Sequence, residues 1–298
     1  MFECFSEFLK KNGYEYEECI SLGKMSYMRI DTKARFIVYP KDEKAFISII
    51  NFLSERDLRF IVLGNMSNVL FKDEFYYGVI IKTTKYKTKC VAENKFVVGC
   101  GAMLAPVVRH MADSCRGGFE GLVGIPGTVG GMIRQNAGAF GYEISDRFIS
   151  ARVYNAREKR INKYSKADMH FTYRNSILCD KSLVLLSAVF DTLSSNREDV
   201  YDAIKAFAEK RKASQPISIP SLGSTFKRVG DVGAGYYIDN AGLKSIHVGG
   251  ATVSTKHAGF IVNSGTATST DVLKLIDMVK SRVYQKFGIL LEEEIEII

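Results

Sequence analysis

Six glycines and one proline fall within the short stretch GIPGTVGGMIRQNAGAFG, Gly124 to Gly141. Glycine is required where backbone must take a positive φ or come close to another group without a Cβ in the way. A flexible linker would be polar and rich in serine. This stretch instead interleaves Ile125, Val129, Met132, Ile133 and Phe140 with its glycines and carries almost no charge. The pattern predicts a buried loop. Its bare backbone is expected to lie against a flat ligand or to cross a second backbone segment.

The rest of the chain sets the frame. With 298 residues it is long enough for a substantial core, as one large domain or two to three small ones. A hydrophobic content of 46% and a charged content of 25% are ordinary for a globular protein. The longest clear apolar run, LVLLSAVF (Leu183 to Phe190), has the size of a strand and is too short for a membrane span. The start MFECFSEFLKKNG reads as an amphipathic helix, with acids where a secretory signal would be basic, so a cytoplasmic location is expected. Cys4, Cys19, Cys90, Cys100, Cys115 and Cys179 are scattered without a C-x-x-C pair, which fits reduced thiols and no metal site. The net charge of +8 is spread along the chain. A phosphate-bearing small ligand or plain solubility accounts for it as well as nucleic acid does, so no nucleic-acid partner is expected.

Hydrophobic spacing predicts an α+β chain. Strands are expected at 35–40, 59–64, 78–83, 95–101, 149–156 and 183–190, and helices over 41–57 and 104–115. Ser195 and Glu198 form an S-x-x-E capping pattern for a helix running to about Lys212, which sets a domain boundary near 193–197. A helix over 269–287 opens on Ser and Thr and stops at Gly288. The final ILLEEEIEII reads as a strand.

Several polar segments carry candidate chemistry. VLGNMSNVLF follows a strand, and such a loop can aim successive N–H groups at an anion, although the residues alone favour a tight surface turn. HFTYRNSIL holds Tyr173 and Arg174, and an arginine there suits a carboxylate or phosphate. PSLGSTFKRVG places Ser224 outside any G-x-S-x-G elbow, which argues against a hydrolase nucleophile. VSTKHAGFIVN holds His257, which in isolation reads as structural. Glu292, Glu293 and Glu294 read as a solvated strand face, with one of them able to point into a site.

Taken in order, LGNMSNVL, GIPGTVGGMIRQNAGAFG, YRNS, GSTFKR and VSTKHAGFIVN resemble the UDP-N-acetylenolpyruvoylglucosamine reductase (UDP-N-acetylmuramate dehydrogenase) family, in its shorter second type. The resemblance runs from about Ser26 to Ile298. It implies an FAD-binding fold of the vanillyl-alcohol oxidase (PCMH) type over residues 1–194, in subdomains of about 1–83 and 84–194. A C-terminal α+β substrate-binding domain would follow over 195–298. It implies FAD as cofactor, NADPH as co-substrate, UDP-N-acetylglucosamine enolpyruvate as substrate, a monomer, and no membrane partner. By the same resemblance, Arg174, Ser224 and Glu294 are the catalytic residues. Gly64, Asn65, Met66, Ser67 and Asn68, then Gly124, Ile125, Pro126, Gly127, Thr128, Gly130 and Gly131, then Asn136, Ala137 and Gly138 would hold FAD. Tyr173, Lys212, Lys227, Arg228 and His257 would bind substrate.

The chain departs from the family pattern in places. Met66 and Asp31-Thr32 stand where glycines are usual, Ser214 where a lysine is, Arg228-Val229 where Asn-Pro is, and Phe140 where a tyrosine is. Met66 obstructs close approach to a pyrophosphate if its position needs a positive φ. A flavin- or nucleotide-binding paralogue without turnover is therefore the competing expectation.

Overall fold

The computed structural model describes residues 2–87, 89–92 and 95–298. Contacts divide the chain into two discontinuous units. The first comprises Met1–Ile20, Arg35–Asn65 and Tyr77–Glu209; the second comprises Ser21–Ala34, Met66–Tyr76 and Lys210–Ile298.

Residues of the first unit make up most of two sheets. One is four-stranded, in the order Tyr16–Ser21, Lys33–Val38, Phe75–Lys82, Phe60–Leu63, with the last two strands parallel. The other is five-stranded and antiparallel, in the order Arg160–Ser165, Phe148–Asn155, Leu183–Asp191, Lys95–Gly99, Lys89–Ala92. Helix α1 (Phe2–Lys11) buries Phe5 and Leu9. Helix α2 (Glu43–Glu55) starts where the Asp42 side chain accepts the Ala45 amide, and it buries Phe46, Ile49, Ile50 and Leu53 at helical spacing. Helices α3 (Leu104–Asp113) and α4 (Val129–Arg134) follow, the second formed by the glycine-rich stretch itself. Helix α5 (Arg197–Ser214) carries the chain out of this unit. One core joins these elements, with Phe36, Phe46, Phe96, Phe119 and Phe190 all almost wholly buried. Each such side chain contributes roughly 1.5–3 kcal/mol by leaving water.

The cap of α5 differs from the sequence expectation. Asn196, directly before the helix, accepts the Glu198 amide at 3.0 Å, so Ser195 is one residue too early. Asparagine is among the best N-caps because its short side chain reaches the second free amide.

The second unit holds an antiparallel sheet in the order Ser221–Ser224, Phe260–Asn263, Ala251–Val253, His247–Val248. Helices α6 (Ala234–Asn240) and α7 (Ser269–Phe287) complete its core. Thr268 caps α7 in a reciprocal box with Asp271, and Gly288 ends it in the left-handed conformation at φ 69°. Buried Asn263 fixes segment 21–34 in this unit: its amide donates to Met28 O at 2.8 Å, and its oxygen accepts from Gly265 and Ala267. The C-terminal strand is shorter than expected. Only Glu296–Ile297 pair as a strand, parallel to Val69–Leu70, while Glu292 to Glu294 form isolated bonds elsewhere.

Among the described residues no helix is long and apolar enough to cross a membrane, and no three His, Cys, Asp or Glu side chains cluster as metal ligands. Cys4, Cys19, Cys100, Cys115 and Cys179 are free thiols; Cys90 is described in its backbone only. Burial pushes the Cys100 thiol well above its ordinary range.

Candidate active site

In the first unit the site is built where the glycine-rich stretch meets the loop after strand Phe60–Leu63. Asn65 Nδ2 donates to Pro126 O at 2.8 Å and joins the two. The glycines let backbones cross. A Cβ on Gly64 would sit 2.1 Å from Thr128 Oγ1, and one on Gly130 would sit 3.1 Å from Cys100 O. The main chain confirms the second crossing, with Gly130 N donating to Cys100 O at 2.8 Å and Val129 N to Ala102 O at 2.8 Å. Thr128 caps α4 by accepting Gly131 N at 3.3 Å. Of the two uses expected for these glycines, backbone crossing is therefore realised at named atoms.

The same cradle suits a diphosphate. The stretch from Gly124 to Gly131 holds no acidic residue to repel it, although the Val129, Gly130 and Gly131 amides are already given to Ala102 O, Cys100 O and Thr128 Oγ1. One cation sits beside it: Lys82, buried at the end of its strand, directs Nζ to Gly64 O at 3.4 Å. Burial lowers its pKa, because a charged ammonium is poorly solvated there. A bound dianion would relieve that penalty. Sequence reasoning missed Lys82; its only signal is its place opposite Leu63 in the parallel pair.

The chain passes from the first unit to the second between Asn65 and Met66. Met66 takes φ +55°, so this position does require the left-handed backbone that glycine adopts freely. Asn68 Nδ2 donates to Glu294 O at 3.0 Å, and its carbonyl accepts Glu296 N.

Arg174 sits on a tight turn in which Thr172 and Asn175 exchange backbone hydrogen bonds, both at 3.2 Å. Its φ is +55°, a strained value for a non-glycine residue. The guanidinium stacks over the Tyr173 ring at 4.9 Å and donates from Nη2 to Gly138 O at 3.3 Å. Asn136, only 2% exposed, holds this region together. Its Nδ2 donates to Glu143 at 2.8 Å and to Thr172 O at 3.2 Å, and its Oδ1 accepts Ser145 N at 3.3 Å.

In the second unit Ser224 ends strand Ser221–Ser224, after Gly223 at φ +82°. The next residue, Thr225, accepts Glu294 N at 2.8 Å, and Lys227 N donates to Glu292 O at 2.8 Å. The backbone thus brings Ser224 and Glu294 into one neighbourhood. Of the residues expected to meet substrate, Lys227 pairs with Glu292 at 3.1 Å on the surface. Lys212 is exposed, and its carbonyl accepts from Lys256 Nζ. Its neighbour Arg211 is buried, donates to Gln215 at 3.2 Å and has a pKa lowered by burial. His257 Nδ1 accepts Gly259 N at 3.1 Å, and burial lowers its pKa by disfavouring the charged ring. Arg174 belongs to the first unit, and Ser224 and Glu294 to the second.

Comparison with known proteins accords with this arrangement. Residues 34–162 match an FAD binding domain, and residues 215–298 match the C-terminal domain of UDP-N-acetylenolpyruvoylglucosamine reductase. The reductase of Caldicellulosiruptor bescii is 44% identical over 99% of this chain and 94% of its own length. That of Clostridioides difficile is 35% identical over 97% of this chain and 95% of its own. The crystal structure of the Thermus caldophilus reductase superposes with a TM-score of 0.79 at 28% identity, covering 95% of this chain and 98% of that one. A glucooligosaccharide oxidase from Acremonium strictum, at 14% identity and a TM-score of 0.50, shares the fold alone. The chain is an FAD-binding domain of PCMH type joined to a reductase C-terminal domain. It belongs to the UDP-N-acetylenolpyruvoylglucosamine reductases, FAD- and NADPH-using oxidoreductases of peptidoglycan precursor synthesis.

Proposed function

We propose that Arg174, Ser224 and Glu294 are the catalytic residues with which this chain converts UDP-N-acetylenolpyruvoylglucosamine to UDP-N-acetylmuramate. Bound FAD would supply the hydride chemistry for reducing the enolpyruvyl double bond, with NADPH as the source of reducing equivalents. One alkene carbon gains that hydride and the other gains a proton, so negative charge builds beside the substrate carboxylate between the two events. Arg174 binds that carboxylate through its planar guanidinium and stabilises the developing charge. Ser224 Oγ delivers the proton to carbon, a transfer that is favourable onto a reactive enolate. Glu294 is proposed to hydrogen-bond the carboxylate, a role that requires its site to favour the protonated carboxyl.

The observation that carries this reading is the Glu294 N to Thr225 O bond, which ties the glutamate beside Ser224 independently of either side chain. Gly64, Asn65, Met66, Ser67 and Asn68, the stretch Gly124–Thr128 with Gly130 and Gly131, and Asn136–Gly138 are proposed to hold FAD, with Lys82 facing its phosphates. Tyr173, Lys212, Lys227, Arg228 and His257 are proposed on the substrate side. Residues 1–194 carry the cofactor work and 195–298 the substrate work in this reading, in a cytoplasmic monomer.

The test is a purification followed by an assay. The protein is expected to be yellow and to oxidise NADPH only when the enolpyruvyl substrate is added. A colourless protein that ignores added FAD defeats the reading.

A further inference from the structure

We infer that Glu143 is a positioning residue for Arg174. The inference rests on the proposed role of Arg174 as the carboxylate-binding group. Glu143 supports Arg174 by two routes, and both lie within the first unit.

The first route runs through Asn136. Glu143 Oε2 accepts Asn136 Nδ2 at 2.8 Å and Ser145 Oγ at 3.4 Å. The second proton of that amide goes to Thr172 O at 3.2 Å, and Asn136 Oδ1 accepts Ser145 N at 3.3 Å. The carboxylate fixes which end of the amide faces Thr172, since a flipped amide would set its oxygen against both a carboxylate and a carbonyl. Thr172 opens the turn that holds Arg174 at φ +55°. A strained conformation persists only where its surroundings over-determine it.

The second route is the main chain. Glu143 is the strand partner of Gly138, and Gly138 O accepts Arg174 Nη2 at 3.3 Å. A Cβ on Gly138 would meet Glu143 Cγ at 3.0 Å, so the glutamate stem packs against the residue whose carbonyl supports the arginine.

Removing the carboxylate therefore loosens the turn and leaves the Gly64 contacts in place, but it also removes a partner of Asn136, which is proposed to hold FAD, so flavin retention is checked first. The FAD-loaded enzyme is examined anaerobically in two separate steps. Glu143→Ala is expected to leave flavin reduction by NADPH unchanged and to slow reoxidation by the enolpyruvyl substrate by about 10- to 100-fold, as small misplacements of a binding group do. Glu143→Gln keeps an acceptor for Asn136 and restores the rate to within about threefold of the parent. In the apoprotein, hydrogen exchange at the Thr172 and Asn175 amides accelerates in the alanine variant and stays slow in the glutamine variant. If Glu143→Ala loses flavin, Glu143→Asp is read in its place, with the same slowing expected because its shorter stem withdraws the carboxylate.

Arg174→Ala separates the two ideas. If it reoxidises at the parent rate, the proposed role of Arg174 fails. If it is slow while Glu143→Ala is not, the positioning role fails. Combining the two substitutions is expected to be no slower than Arg174→Ala alone, and multiplicative slowing would also overturn the inference.

Discussion

The backbone amide of Glu294 donates to the carbonyl of Thr225 at 2.8 Å. That bond couples the residue bearing the Glu294 carboxyl to the residue following Ser224 through main chain alone. Substitutions of either side chain therefore test chemistry with little disturbance of the scaffold.

Ser224→Ala is expected to keep flavin reduction by NADPH and to lower turnover by about 10²–10⁴-fold, a general-acid contribution. Stopped-flow traces of the two half-reactions check this. Equal slowing of both would remove Ser224 from the role of proton donor.

Glu294→Gln retains the Thr225 and Asn68 bonds, which use the Glu294 main chain. Its melting temperature should stay close to the parent, with a change within about 0.5 kcal/mol. Its turnover should fall in the substrate half-reaction. A large stability loss would show that the side chain is structural.

Lys82 presents a contest between desolvation and charge. Its ammonium is buried beside Gly64 O, and burial lowers its pKa. Removing a buried charge also removes the cost of keeping it out of water. Lys82→Met should leave the apoprotein as stable or more so, yet weaken FAD binding by about tenfold, as loss of one charge-assisted contact to phosphate does. Titration of apoprotein with FAD is the check; unchanged affinity would detach Lys82 from the cofactor.

Met66 combines a left-handed backbone with a buried side chain, at 3% exposure. Relief of the backbone in Met66→Gly is worth about 1–2 kcal/mol. Loss of a buried methionine costs about 2–5 kcal/mol. Burial wins, so the apoprotein should melt lower, even though FAD binding tightens through closer backbone approach. Thermal unfolding with and without FAD separates the two effects.

His257 gives the pH prediction. Burial lowers its folded pKa below that of the unfolded chain, so the unfolded state binds the proton more readily. The stability it contributes is fully present above the unfolded value near 6.5 and falls as pH drops from there toward the folded pKa. His257→Asn, which keeps an acceptor for Gly259 N, should flatten that part of the profile in denaturant titrations between about pH 7.5 and 5.

Much of this was legible in the residues. Helical periodicity located α2, and Gly288 marked the end of α7, because both signals act within a few residues. The glycine-rich stretch announced close approach but left its partner open; Cys100 and Gly64 became the partners only through folding. The EEE run misled for a physical reason. The alternation of Glu294 to Ile297 suggests a longer strand, yet Glu292 and Glu294 pair through single bonds to Lys227 and Thr225 rather than along a ladder. Segment 21–34 leaves no local mark of the core it joins, because Met28 and Ile30 look like any apolar pair. Glu143 escaped notice for the same reason: its partners, Asn136 and Thr172, meet it only in three dimensions.

The most direct measurement of the central claim is an anaerobic single turnover. FAD-loaded protein is reduced with one equivalent of NADPH and then mixed with UDP-N-acetylenolpyruvoylglucosamine. The account predicts that the flavin absorbance returns as one equivalent of UDP-N-acetylmuramate forms. A flavin that stays reduced after the substrate is added would contradict it.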